Sequence, residues 1–163
     1  MTVDGVLCPY KEVGGHKNPK FFSFKHKRAG LLYEIAMAIF EDRCVWISGP
    51  LPGGETNDKG HFNRGLRQRI PQGKKFVGDS AYGSREDAHI GTWRRDEDPE
   101  HLRLFKRRAL ARHEAFNGRM KRFKTLSTVF RSSVDGHKSA FYAIAVLCQY
   151  EMELGSPLFK VGV

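Results

Sequence analysis

Apolar positions in the first half of the chain recur with the period of strands, and in the second half with that of helices. Val3 to Leu7 is a short apolar segment interrupted by Asp4 and Gly5. Phe21 to Lys27 alternates, Phe22 and Phe24 against Ser23 and Lys25, which predicts a half-buried strand. Leu31 to Phe40 is almost continuously apolar, with Glu34 as its polar exception, and fits a central strand. Glu41-Asp42-Arg43 turns the chain into a further strand over Cys44–Ser48. The run Gly49-Pro50-Leu51-Pro52-Gly53-Gly54 is expected to end the sheet, because proline lacks the N–H that an interior strand donates. Thr56 or Asn57 can then cap a helix carrying Phe62, Leu66 and Ile70 and stopped by Pro71. Lys74–Val77 reads as another strand, and Arg85 to about His101 as a polar insertion loop. Leu102 to about Phe123 is a basic helical region, and Ser139–Leu154 a mostly apolar helix. The order β-β-β-α-β-α-α predicts an α/β fold, a mixed sheet covered by helices.

Length and composition narrow the classes. A chain of 163 residues has the size of one domain, so 1–163 is read as a single unit. No apolar run reaches the roughly 18–20 residues that span a bilayer, and the first residues lack a signal-peptide pattern, so neither a secreted nor a membrane-spanning protein is expected. Cys8, Cys44 and Cys148 are far apart and form no Cys-x-x-Cys pair, which argues against a disulfide framework. A zinc site of Cys8, His16 and His26 matches no zinc spacing and lacks a fourth ligand.

Charge is more telling. Lys and Arg number 28 against 18 Asp and Glu, a formal net charge of +10, which implies polyanionic partners: nucleic acid first, an anionic membrane surface second. Between Arg103 and Arg131 there are ten basic residues and one acid, Glu114. Metal-assisted hydrolysis of a phosphodiester needs several carboxylates converging at strand ends and a helix. The acids placed awkwardly for a purely structural role are Asp4 within an apolar strand, Asp79 at the end of another, Asp58 opening a helix, and Glu114 on the basic helix. Taken at 100° per residue, Glu114, Asn117 and Lys121 share one helix face, with Phe116, Met120 and Phe123 opposite. Each acid has a plainer role open to it: a helix-dipole acid for Asp58, a turn acid for Asp79, a solvated position for Asp4, a surface ion pair for Glu114.

Five stretches together carry a resemblance. They are Asp4-Gly5-Val6, Phe24-Lys25-His26-Lys27, Gly49 to Asp58, Gly78-Asp79-Ser80-Ala81-Tyr82-Gly83, and Arg112 to Lys121. In this order, covering Asp4 to about Tyr150, the chain resembles the DDE-type endonuclease domain of Harbinger-class transposases and the nucleases derived from them. The resemblance implies a ribonuclease-H-like fold and a metal-dependent DNA endonuclease. It assigns catalytic roles to Asp4, Asp79 and Glu114, and metal binding to these with Asp58, for Mg²⁺ or Mn²⁺. Arg112, Arg119, Lys121, Arg122, Lys25 and Lys27 are the candidate nucleic-acid contacts. DNA is the expected partner and the nucleus the expected location. Complete transposases of this kind carry an N-terminal helical DNA-binding region that this sequence does not contain, which leaves room for a separate DNA-binding partner. Three residues precede Asp4, so its strand is expected to be truncated to about half the usual length. The alternative is a catalytically inactive, domesticated or fragmentary relative acting as a basic nucleic-acid-binding protein.

Overall fold

The first strand is the axis of the molecule. In the computed structural model, which describes residues 1–11, 18–83, 91–92 and 96–162, β1 (Thr2–Pro9) pairs antiparallel with β3 (Arg28–Met37) along its whole length. The expected truncation is therefore corrected. Asp4 is the third residue of an eight-residue strand, which extends through the apolar run to Pro9. Its beginning is tied to the other neighbour, β5 (Phe76–Val77), where the Val77 N–H donates to the Met1 carbonyl at 2.8 Å.

The rest of the sheet follows from which segments can donate on both sides. β2 is only Phe22–Ser23; the predicted strand stops there because Phe24–Lys27 forms the tip of the β2–β3 hairpin, with Lys27 at φ +53°. β4 runs over Cys44–Pro52, straight through the Gly-Pro run expected to end the sheet. Its position explains this: among the described residues β4 pairs with β3 alone, so one side of it is an edge, where proline leaves no ladder bond unmade. β5 runs parallel to β1, and β6 (Gly91–Thr92) parallel to β5, giving the order β2-β3-β1-β5-β6 with β4 beside β3. The mixed α/β class is thus as expected. Most of the expected insertion loop, residues 84–90 and 93–95, lies outside the described residues.

Helices cover both faces. α1 (Asp58–Arg64) is capped by Asn57, whose Oδ1 accepts from the Gly60 N–H at 2.8 Å. With the turn Leu66–Arg69 it buries Phe62 and Leu66 against Val3, Ala36, Phe76 and Tyr82. On the opposite face α2 (Glu100–Lys121), α3 (Lys124–Ser127) and α4 (Val134–Glu153) enclose a larger core. There Phe116, Met120, Leu126 and Phe141 pack on Val6, Cys8, Tyr33 and Ile35. Strand alternation accounts for the division: Val6 and Cys8 point one way, Val3 and Leu7 the other. The expected face of α2 is also corrected. Asn117 is buried beside Phe116 and Met120, so the inward stripe is His113, Phe116, Asn117 and Met120, with Glu114 exposed beside it.

Candidate acidic site at the open edge of the first strand

Alternation along β1 places Thr2 and Asp4 on the face that α2 covers. The Thr2 hydroxyl lies 2.9 Å from His113 Nδ1, and Asn117 Nδ2 donates to Asp4 Oδ2 at 2.9 Å. Two strand residues rise about 6.6 Å and four helical residues about 6 Å, so α2 runs in step with β1. Parallel pairing puts Thr2 beside Val77, and Asp79 follows two residues beyond it, near enough for its charge to raise the Asp4 pKa. Asp79 Oδ1 accepts from the Ala81 N–H at 2.8 Å and caps the turn Ser80–Tyr82. Glu114 stands exposed on α2, one turn before Asn117.

Asp58 approaches from the other face. A Cβ built on Gly5 would collide with Asp58 Oδ1, so the Asp-Gly pair in β1 opens the space that this carboxylate fills. An alanine at position 5 could not coexist with Asp58 as placed. Past Thr2 the two neighbours diverge. Among the described residues, no strand lies beside β1 on that side until the Tyr10–Phe130 bridge. Along this open edge the Gly5 N–H is satisfied by Asp4 Oδ1 at 2.9 Å.

Burial dominates the electrostatics of Asp4. Burial, with Asp58 and Asp79 adding to it, pushes the Asp4 carboxyl up to about 6, against the opposing Gly5 N–H and Lys25. The nearest balancing cation is Lys25, whose Nζ lies 2.8 Å from Asp58 Oδ2. The Asp58 hydrogen bond, and the fields of Asp58, Asp79 and Asp4, raise the Lys25 pKa. Carboxylate oxygens are hard ligands of the kind a divalent cation takes. Each of the three acids is nonetheless engaged locally: Asp4 with Gly5 and Asn117, Asp58 with Lys25, Asp79 with Ala81. Among the described residues no three His, Cys, Asp or Glu side chains are gathered closely enough to hold a metal ion. Asp79 and Asp58 come within electrostatic reach of Asp4, Asp58 from behind β1, while Glu114 is exposed on α2 and joins no ligand set among the described residues.

Behind Asp58 lies a polar layer that composition and spacing did not reveal. Gly5, Glu34 and Ser48 are neighbours across β1, β3 and β4. Glu34 is 1% exposed and accepts from Trp46 Nε1 at 3.1 Å, and burial pushes its carboxyl up to about 7. His61 Nε2 lies 3.1 Å from the Ser48 hydroxyl, and burial holds its imidazole down to about 4. The only signal in the sequence was Glu34 interrupting an apolar run.

The expected phosphate contacts divide. Arg112 is 3% exposed; its guanidinium donates to the carbonyls of Ala38, Glu41 and Phe159 and pairs with Asp42 Oδ1 at 2.6 Å. It fastens α2 to the β3–β4 turn and the C-terminal segment, a correction to its expected role. Arg119 bonds the Ser156 carbonyl at 2.7 Å, and both it and Arg122 pair with Glu151 of α4. Lys121 is exposed at the end of α2, and Lys27 is exposed at the hairpin tip. Tyr10 and Tyr82, weighed as stacking residues, are buried, and so is Cys8 of the zinc alternative; His16 lies outside the described residues. No helix among the described residues is long and apolar enough to cross a membrane.

Comparison with curated proteins and with solved structures gives no match. A family model does match, from residue 3 in β1 to residue 149 in α4, so that Asp4, Asp58, Asp79 and Glu114 all fall inside it. That model describes the DDE superfamily endonucleases, and the chain belongs to this family.

Proposed function

We propose that this protein is a metal-dependent DNA endonuclease with a ribonuclease-H-like sheet, in which Asp4, Asp79 and Glu114 are the catalytic acids. The observation that carries the reading is that Asp79, just beyond the parallel neighbour β5, and Asp58 both lie within electrostatic reach of Asp4, which the helix bearing Glu114 covers. Asp58, reaching β1 through the gap at Gly5, would complete a set for Mg²⁺ or Mn²⁺. When bound, such an ion supplies positive charge to the phosphate oxygens and acidifies water. The chain's own part is to hold these carboxylates together despite burial and mutual repulsion, which disfavour the Asp4 charge, and to steer the backbone in. Asn117 and the Gly5 N–H orient Asp4, while Lys121, Lys27, Arg119 and Arg122 supply positive potential around it. Lys25, paired with Asp58 in the structure, would be free to meet a phosphate oxygen were that carboxylate to hold a metal ion. DNA as substrate, a nuclear location and a separate DNA-binding partner belong to the same reading.

Titration of Mn²⁺ into the protein, alongside Asp79→Asn, tests it together with nicking of supercoiled DNA. Metal uptake and nicking that Asp79→Asn and Glu114→Gln abolish are the expected result. Nicking by Glu114→Gln at the parent rate would place the essential carboxylate elsewhere. A second reading, a nucleic-acid binder without turnover, is favoured by the pairing of Lys25 with Asp58, which leaves that acid already neutralised. Under it, DNA binding would be indifferent to metal and to acid-to-amide changes.

A further inference from the structure

The β2–β3 hairpin carries a feature that the acid site leaves unused. Phe24 at its tip is 80% exposed, among the most exposed of the large apolar side chains. Phe22 supports it edge-on, with ring centroids 5.4 Å apart at 81°, which fixes the ring and leaves a face to solvent. Below it opens a cleft of about 320 Å³ with Leu7 and Leu32 as apolar lining and Ser23, Thr56 and Asn57 as polar lining. Its remaining walls include Lys25 and Asp58, so the cleft opens onto one of the site acids and its paired ammonium. The Asn57 oxygen is taken by the Gly60 N–H, leaving the amide N–H groups as donors.

On the other side of His26 and Leu7, which both cavities share as walls, lies a second cavity of about 220 Å³. It is lined by Arg28, Lys121 and Ser127, three groups suited to a phosphate. An apolar floor, a ring face and a few hydrogen-bonding groups in a volume at the lower end for ligand sites suit one nucleobase. A paired base inside a duplex cannot enter such a cleft.

We infer that this cleft takes a single unpaired nucleobase, stacked on Phe24, from the nucleotide next to the phosphate held at the acids, with a neighbouring phosphate against Arg28 and Lys121. The inference rests on the nuclease reading and sharpens its substrate to DNA with an unpaired or extruded nucleotide. It also gives Phe24 a reason to stand in water at the tip of a hairpin whose turn has a non-glycine residue in the left-handed region.

The test is done in EDTA, so that cleavage plays no part. Fluorescence anisotropy compares the full chain on a fully paired duplex and on the same duplex with one unpaired 2-aminopurine, whose emission is quenched by stacking. The parent protein should prefer the unpaired substrate by about tenfold and quench the probe. Phe24→Ala should lose both while keeping its affinity for the paired duplex, and Phe24→Trp should retain both. Because Phe24 is exposed, a thermal melt of Phe24→Ala should match the parent. Equal affinity of the parent for the two substrates, or a preference that Phe24→Ala leaves intact, would overturn the inference. Failure of the nuclease reading looks different: the Phe24-dependent preference persists, but added Mn²⁺ produces no nicking.

Discussion

Asp4 is held in a fold that disfavours its charge, and that can be measured without any substrate. Its carboxyl is raised from 3.8 to about 6, mainly by burial and then by Asp58 and Asp79. At about 1.4 kcal/mol per unit, that is roughly 3 kcal/mol of native-state stability forgone once the group ionises. For a carboxyl with a raised folded-state value, the native state holds the proton more tightly than the unfolded chain. Stability therefore falls as pH rises from about 4 to 6, and the whole penalty is present above it. Asp4→Asn removes the charge but keeps an oxygen for the Asn117 amide or the Gly5 N–H. Allowing about 1 kcal/mol for a weakened hydrogen bond, the variant should be more stable than the parent by about 1–2 kcal/mol at pH 7.5 in EDTA. For a chain of this size that is about 2–8 °C in Tm. Paired urea melts at pH 7.5 and pH 4 are the assay, and the advantage should all but disappear at the lower pH. Saturating Mn²⁺ should reverse the order, since a ligand at a hundred times its Kd adds about 2.7 kcal/mol to the parent alone. An Asp4→Asn protein less stable than the parent at pH 7.5, or one whose advantage does not change with pH, would refute the reasoning.

Three further outcomes follow from the same geometry. Gly5→Ala should cost about 1–3 kcal/mol in a denaturant melt, because its methyl meets Asp58 Oδ1, and should weaken Mn²⁺ uptake as Asp58 is displaced. Arg112→Met should cost about 3–5 kcal/mol by leaving Asp42 and three carbonyls without their donor, yet leave the salt dependence of DNA binding unchanged where the variant is folded. Lys25→Met should tighten Mn²⁺ binding in a calorimetric titration at pH 7.5 by removing the ammonium that competes for Asp58, and should raise the Asp4 pKa further.

Much of the scaffold was legible because burial on a known period leaves a mark. The apolar run of β3, the β-rich Cys44–Ser48 and the amphipathic stretch of α2 each announced an element. Ends were harder to place. Proline excludes a central strand, but β4 is an edge, and nothing local to Pro50 says which strand will lie outermost. Hairpin alternation over Phe21–Lys27 could not distinguish a strand from a short pair with an aromatic at its tip, because Phe24 fits the pattern while facing water. Arg112 was indistinguishable by type from Lys121. Only the arrival of three carbonyls and Asp42 from remote segments turns one basic residue into an internal fastener and leaves the other outside.

The acids show why spacing alone could not settle their arrangement. Asp4 and Asp79 are 75 positions apart, and they come within electrostatic reach because the one parallel pair, Thr2 beside Val77, lies two residues before each. Asp58 needs something different. It sits behind β1, and only the missing side chain of Gly5 lets it approach Asp4 closely enough to shift its titration. A cation is then required on electrostatic grounds, and Lys25 supplies one from the hairpin. On the proposed function the same ammonium would compete with a divalent ion for Asp58, and a nucleotide phosphate that drew Lys25 toward itself would release that carboxylate. Substrate and divalent ion would then bind with positive cooperativity, each by clearing the same lysine.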